Sequence, residues 1–179
     1  VKPLQPSGYF RHLNFPMRKY RADNDGRQWR RGVYVHWQRQ FLHPMLRAFD
    51  APTREECVTA RPVSNTPTAA LTLLNDPVFV EASRMFAQQT LLSPGHDKDR
   101  LILAFRRATS RAPHAEEIVV LTRFLRGARE HFRQDPNAAK KLLQTGAAER
   151  DKGIDVVELA AWTELSRTIL NLHETITRG

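Results

Sequence analysis

Residues 30–75 read RRGVYVHWQRQFLHPMLRAFDAPTREECVTARPVSNTPTAALTLLN, and this stretch decides how the rest of the chain is interpreted. It combines an arginine pair, four aromatic residues and the only cysteine of the chain. Near its end, Thr66 can cap a helix through its hydroxyl, and Pro67 has the fixed backbone angle that suits the first helical position. The stretch therefore predicts helices, and no part of it favours a strand.

The residues after Thr66 repeat these helix-start signals several times. Helices are predicted from Pro67 to Leu74, Asp76-Pro77 to Leu92, Asp97 to Thr109, His114 to Gln134, Asp135-Pro136 to Gln144, and from Asp155 onward. Asn75 ends the first of these at a bend. Two of the helices carry an apolar stripe that predicts a buried face. The stripes are Ile118, Leu121, Leu125, Ala128 and Phe132 in one helix, and Trp162, Leu165, Ile169, Leu172 and Ile176 in the other.

The residues before Thr66 carry weaker signals. Aromatic residues at a spacing of four predict a helix from Gln28 to about Phe41, which Pro44 breaks near Leu42. Thr53 followed by Glu56 resembles a capping box and predicts a short helix through Cys57. Residues 1–27 contain several prolines and glycines among aromatic and basic side chains, so they predict an irregular arm. Residues 145–153 are polar and predict a mobile loop.

The predicted fold class is mostly α, an irregular helical bundle of about six to eight helices with a long irregular N-terminal arm. A chain of 179 residues suits a single domain spanning residues 1–179. Within that domain we assign an arm to residues 1–27, motif-bearing helices to 28–92 and an amphipathic bundle to 97–179. The opening residues look like a loop of a longer polypeptide, so we expect the domain to be the C-terminal part of a larger protein.

The net charge of +9 is concentrated near the start of the chain. Residues 1–47 hold ten lysines and arginines against two aspartates, whereas the remaining residues are almost neutral. Such a region can bind a polyanion, dock on an acidic neighbouring domain, or be a solvated basic face. The apolar runs are too short to span a membrane.

No motif in the chain spells out a reaction. The seven histidines form no metal-binding pattern, and a single cysteine excludes an internal disulfide and a cysteine-based zinc site. Cys57 lacks a catalytic context and is predicted to be a buried structural thiol. No glycine-rich phosphate loop is present. The sequence therefore predicts no catalytic residue, no metal site and no cofactor within this chain.

The best candidate binding residues are four arginines of this stretch, Arg30, Arg31, Arg39 and Arg61. As internal braces they would pair with Asp50, Glu56 or helix carbonyl groups. Alternatively, they would line a pocket for a carboxylate, sulfate or phosphate. The candidate binding residues of the segment are Arg30, Arg31, Tyr34, Arg39, Asp50, Arg61, Thr66 and Asn75.

Several motifs of the chain resemble those of a family, the PSD1 or DUF1553 domain abundant in planctomycetes. The opening residues 1–8 are similar to its "VxPxQPxG" segment. The other matching motifs are Arg30-Arg31-Gly32-Val33-Tyr34, Arg39, Phe49-Asp50-Ala51-Pro52, Cys57, Arg61, Asn65-Thr66-Pro67, Ala70-Leu71, Leu74-Asn75-Asp76 and Trp162 through Leu170-Asn171 to Glu174. Thr68 and Ala69 depart from the "TNTPLQAL" that members usually show.

The resemblance implies a location more than an activity. Members usually end large exported proteins whose upstream domains include a cytochrome-c-like domain and a second conserved domain, DUF1549. An extracytoplasmic parent with haem in an upstream domain is thus implied. This chain contains no CxxCH pattern, so it cannot itself attach haem covalently.

Two functional hypotheses follow, from different classes. The first is a non-catalytic helical module that docks on upstream domains of its own polypeptide or on a partner protein, and the sequence favours this one. The second is part of a composite site for an anionic polysaccharide or another small anion, which the arginine cluster would bind. Non-specific nucleic-acid binding ranks third, because aromatic residues among arginines suit single strands but no recognised binding fold is present.

Overall fold

The computed structural model describes residues 1–5, 20–23, 25–37, 42–52, 57–60 and 66–176. They belong to two compact units, residues 1–78 (unit 1) and residues 79–179 (unit 2). Helices and turns supply the regular structure, and the described ranges contain no strand. The predicted mostly α fold is therefore confirmed.

The α-helices, in chain order, are α1 (Pro44–Ala48), α2 (Pro67–Asn75), α3 (Pro77–Leu91), α4 (Asp97–Thr109), α5 (Ala115–Gln134), α6 (Pro136–Leu143), α7 (Val156–Leu170) and α8 (His173–Ile176). Two 3-10 turns, Gly26–Trp29 and Gly32–Tyr34, precede them. The proline starts behave as predicted. Thr66 Oγ1 accepts a hydrogen bond from the Ala69 N–H at 3.2 Å, and Asp76 Oδ1 accepts one from the Val78 N–H at 2.9 Å.

The helix predicted from Gln28 to Phe41 is wrong for residues 28–37. Arg30 and Arg31 have ψ angles of 149° and 152°, which are extended and interrupt any helix at this point. The chain turns here because Val35 is buried against Leu46 and Ala51 in the small core of unit 1. Residues 38–41 lie outside the described ranges.

Pro44 begins a helix and does not end one, which corrects the prediction. His43 caps α1 by accepting a hydrogen bond from the Met45 N–H at 3.3 Å. The helix ends with Asp50 in the left-handed region (φ 55°), and the Ala51 N–H donates back to the Leu46 carbonyl at 2.9 Å. This is the Schellman arrangement, with aspartate where glycine is more usual.

Cys57 is exposed, so the predicted buried thiol is wrong. Neighbouring Val58 is also half exposed. Cys57 is not helical, and residues 53–56, where the capping box was predicted, lie outside the described ranges.

In unit 2, α7 packs against α4, α5, α6 and α8. Trp162 is fully buried, as are the stripe residues Leu165 and Ile169. The stripe predicted on α5 is confirmed, with Leu121, Leu125 and Phe132 buried and the other members partly buried. The apolar stripe predicted for α7 extends beyond the end of the helix. The helix ends at Leu170, so Leu172 lies beyond it and Ile176 is 47% exposed in α8.

Two arginines connect the helices of unit 2. Arg129 of α5 binds Asp97 at 2.6 Å and also pairs with Glu158, whose carboxylate accepts a hydrogen bond from the Trp162 indole at 2.8 Å. The α4 cap is His96 instead of the predicted Asp97, and the His96 N–H donates to Asp99 at 3.0 Å.

Arg111 joins the first turn of α5 to α8. Its guanidinium bridges Glu117 at 2.7 Å and Glu174 at 2.6 Å, and lies 4.8 Å from the centre of the Phe105 ring. Hydrogen bonding to Arg111 lowers the pKa of Glu117 to about 2. These contacts fix the short α8, which is too short to be stable by itself.

The polar loop predicted to be mobile is tied to α3 by buried side chains. The Glu81 carboxylate accepts hydrogen bonds from the N–H groups of Ala147, at 3.0 Å, and Ala148. Arg84 Nη2 donates to the Ala148 carbonyl at 2.6 Å. Glu81 and Arg84 are each 1% exposed. Buried side chains of α3 therefore supply hydrogen-bond partners to the backbone of this polar loop.

None of the helices among the described residues is both long enough and apolar enough to cross a bilayer.

We expect replacement of glycine by alanine to have opposite effects on the stability of unit 2 at two positions. At Gly146 (φ 97°) a methyl group would collide with the Glu81 carboxylate, so Gly146→Ala should destabilise unit 2 by about 2–4 kcal/mol. At Gly127, inside α5, the methyl would meet no described atom, so Gly127→Ala should stabilise by about 0.5–1 kcal/mol. Urea unfolding of both variants measures the difference, and equal shifts would contradict the loop anchor.

Candidate functional site

Residues 1–5 are hydrogen-bonded to several other segments of unit 1. Pro3 is fully buried. The backbone groups of this segment are bonded on several sides: the His36 N–H donates to the Val1 carbonyl at 2.6 Å, the Asp23 N–H to Lys2 at 2.8 Å, the Tyr20 hydroxyl to Pro3 at 2.6 Å, and His43 Nε2 to Leu4 at 3.2 Å. This extended segment is thus bonded on several sides, as a central strand would be, but its hydrogen-bond partners are turns and side chains.

His43 is the buried link between this segment and α1. Its Nδ1 accepts the hydrogen bond that caps α1, so Nε2 carries the proton that is donated to Leu4. Burial lowers the pKa of His43 to about 4, and the hydrogen bond to Leu4 opposes this shift. The ring is therefore neutral at pH 7 and acts as a structural connector. Burial, and then the charge of Asp23, raise the pKa of Tyr20 well above its usual value.

The two 3-10 turns are held by an aspartate–arginine pair. Asp25 caps the first turn, accepting from the Arg27 N–H at 3.0 Å, and its carboxylate also binds the Arg27 guanidinium at 2.9 Å. Hydrogen bonding to Arg27 lowers the pKa of Asp25. A second carboxylate, Asp23, lies 3.7 Å from Arg27 and accepts from the Lys2 N–H at 3.0 Å. The turns are therefore fixed to the N-terminal segment.

The outward side of these turns presents a set of large side chains, which we call the Trp29 face: Trp29, Arg30, Arg31, Val33 and Tyr34. Trp29, Val33 and Tyr34 are 47%, 74% and 60% exposed. Arg30 and Arg31 are exposed and form no ion pair with a described residue. Underneath, Gln28 and Val35 are buried, and a Cβ at Gly32 would lie 3.1 Å from Leu46. A rigid support thus carries an exposed face.

The predicted site residues fall in different places. Arg30, Arg31 and Tyr34 are all exposed members of the Trp29 face. Asp50 takes the left-handed position at the end of α1. Thr66 caps α2, and Asn75 at its other end donates to the Leu71 carbonyl at 3.0 Å. Arg39 and Arg61 lie outside the described residues. Their joint role in binding stays a prediction.

Sequence reasoning missed a basic cleft on unit 1. It has a volume of about 540 Å³ and is lined by Val1, Lys2, Arg21, Ala22, Asp23, Arg27 and His36. The signal that could have revealed it is the run from Asp23 to Arg27. Two aspartates precede a turn here, and an arginine within the turn can pair with them. Arg27 is paired with these aspartates, whereas Lys2 and Arg21 form no ion pair with a described residue.

The chemistry that these residues offer is binding. Guanidinium groups stay protonated at neutral pH and act as donors, and Trp and Tyr rings supply apolar contact with one polar group. Within the described ranges, no cluster of three His, Cys, Asp or Glu side chains could hold a metal ion.

His43 predicts an acid-sensitive unit 1. The unfolded chain takes up the proton near pH 6.5 and the folded chain only near pH 4, so the contribution of His43 to the free energy of unfolding should fall as pH drops between these values and change no further below pH 4. The loss should reach about 3 kcal/mol. Hydrogen exchange of residues 1–5 and 42–52 across this range measures it.

A matched variant separates this effect from that of the carboxylates. In His43→Asn the side-chain oxygen can still cap α1, but the titratable group at this buried position is removed. The difference in protection between the two proteins should therefore shrink from pH 7 to pH 4. A constant difference would contradict the buried neutral histidine.

The comparisons with known proteins give one match. The family model PSD1, described as a protein of unknown function (DUF1553), matches residues 1–125. No curated protein and no solved structure matches the chain. The match takes in the Trp29 face, α2, α3 and α4 and ends within α5, so the motifs noted at Trp162 to Glu174 lie beyond it. Because the match covers more than half of the sequence, the chain belongs to the PSD1 (DUF1553) family.

Proposed function

We propose that this chain is a non-catalytic helical module that docks through the Trp29 face on the upstream domains of its own polypeptide. The observation that carries the proposal is the exposure of Trp29, Val33 and Tyr34 beside Arg30 and Arg31, which form no ion pair with a described residue. Trp, Tyr and Arg are the side chains that most often dominate protein–protein binding energy. Their exposure leaves apolar area in water that a partner would remove.

The support beneath the face favours docking for a second reason. The turns are held by the Asp25–Arg27 pair, and Gly32 lies against Leu46. A face whose backbone is already ordered loses less conformational entropy on binding than a flexible segment does. Arg30 and Arg31, free of described carboxylates, can then meet acidic groups of the docking domain.

Calorimetric titration of this chain with the separately expressed upstream portion tests the proposal at low and moderate salt. We expect binding that persists at moderate salt, because burial of Trp29 and Tyr34 is not screened. Trp29→Ala and Tyr34→Ala should each weaken it about tenfold or more. Val58→Ala, a similarly exposed apolar residue of unit 1, is the control and should leave it unchanged. No binding by the wild-type chain would refute docking.

The basic cleft favours a second candidate function, a subsite for an anionic polysaccharide or another small anion. Lys2 and Arg21 line a polar cleft whose one carboxylate, Asp23, pairs with Arg27, so an anion entering it could gain two charge-assisted contacts from Lys2 and Arg21. Titration with a sulfated polysaccharide should show binding that the double change Lys2→Gln and Arg21→Gln removes. If an equally charged single-stranded DNA binds as well as the polysaccharide, the interaction is a general polyanion effect and no subsite exists.

The family resemblance extends the proposal to the parent polypeptide, which we place outside the cytoplasm with haem in an upstream domain. Its support is the set of shared motifs. Haem staining of the parent in the periplasmic or secreted fraction should be positive and independent of this chain. A parent retained in the cytoplasm without haem would contradict this part.

A further inference from the structure

An apolar stripe on α5 faces away from the core of unit 2. Val120, Phe124, Gly127 and His131 are separated by four, three and four residues, the heptad spacing of a helix that packs on another helix. Val120 is 61% exposed and Phe124 39%. The core of unit 2 takes a different face of the same helix, through Leu125 and its neighbours. The stripe therefore has no partner among the described residues.

A groove adjoins the C-terminal half of the stripe, between α5 and α6. Its volume is about 810 Å³. Most of its wall is apolar or small, and the lining residues are Phe124, Gly127, Ala128, His131, Phe132, Ala138, Lys141, Leu142, Thr145 and Glu164. One half of the stripe thus protrudes, and the other half borders a hollow.

Gly127 marks the boundary between the two halves. A glycine inside a helix costs about 0.5–1 kcal/mol relative to alanine. No described atom lies within 4 Å of the position that its Cβ would take, so no close contact within the unit explains the residue. A glycine in this place leaves a notch on the helix surface, directly in line with Phe124.

We propose that α5 pairs antiparallel with α5 of a second copy of this chain, forming a two-fold symmetric dimer. In this arrangement Phe124 enters the notch at Gly127 of the second copy, and Val120 lies against its His131. The symmetry repeats both contacts, so each protruding half fills the hollow half of the other copy. A surface that complements itself in this way is what a two-fold interface requires.

The charges along one edge of the stripe agree with this pairing. Arg123 and Glu130 are seven residues apart and therefore share an edge of the helix. An antiparallel pair brings Arg123 of each copy close to Glu130 of the other. Both residues are exposed, and Arg123 forms no ion pair with a described residue, while Glu130 makes a loose contact with Arg133 at 3.7 Å. In a parallel two-fold pair this edge would face the opposite edge of the other helix, so Arg123 would not meet Glu130.

Sedimentation equilibrium of the full chain at moderate salt tests the dimer, which is separate from docking through the Trp29 face. A contact of three helical turns is small, so we expect a dissociation constant on the order of 10–1000 µM. Phe124→Asp and Gly127→Glu should each weaken association at least about tenfold. Thr122→Asp is the matched control, since Thr122 is exposed on the same helix and lies about half a turn around it from the stripe.

Charge reversal supplies a readout that a purely structural role would not move. Arg123→Glu should weaken the dimer, and the double variant Arg123→Glu with Glu130→Arg should restore it, because the inter-chain pair is rebuilt with opposite sign. Circular dichroism confirms that each variant is folded. A chain that stays monomeric at about 1 mM, or a dimer indifferent to Phe124→Asp and Gly127→Glu, overturns the proposal.

Discussion

The carboxylate of Glu158 is the contact on which the arrangement of unit 2 depends. It is shared by the Arg129 guanidinium of α5 and the Trp162 indole of its own helix, and Arg129 continues to Asp97 at the start of α4. Three helices therefore meet at one charge-assisted network beside the fully buried Trp162. A charged network at the edge of a dry core fixes how helices align, since apolar packing alone tolerates several registers.

Unit 1 is stabilised in a different way. Its described core contains three buried apolar residues, Val35, Leu46 and Ala51, which is little area for a compact unit. The segment 1–5 compensates, because its backbone groups are satisfied by turns and by His43 and Tyr20. A unit built on such bonds is sensitive to the protonation of a buried histidine, whereas unit 2 relies on packing.

Both proposed contact surfaces follow from these supports. The Trp29 face lies on turns that Asp25 and Gly32 hold in place, and the α5 stripe lies on a helix whose adjoining face is packed into the core of unit 2. In each case the backbone is fixed by contacts made underneath, so the outward side chains are free to serve a partner. Rigid presentation of apolar and charged groups is what distinguishes a binding surface from scattered exposed residues.

The sequence by itself determined the helices whose ends carry local signals. Caps such as Thr66 and Asp155, and prolines at first helical positions, act within one turn and predicted α2, α3 and α5 to α7 closely. The family could also be predicted from the sequence, because its motifs are short runs of consecutive residues. The tertiary structure alone decided the turns at Arg30 and Arg31 and the cleft around Lys2. These depend on partners distant in sequence, such as Val35 against Leu46, and local spacing does not encode which distant residues will meet.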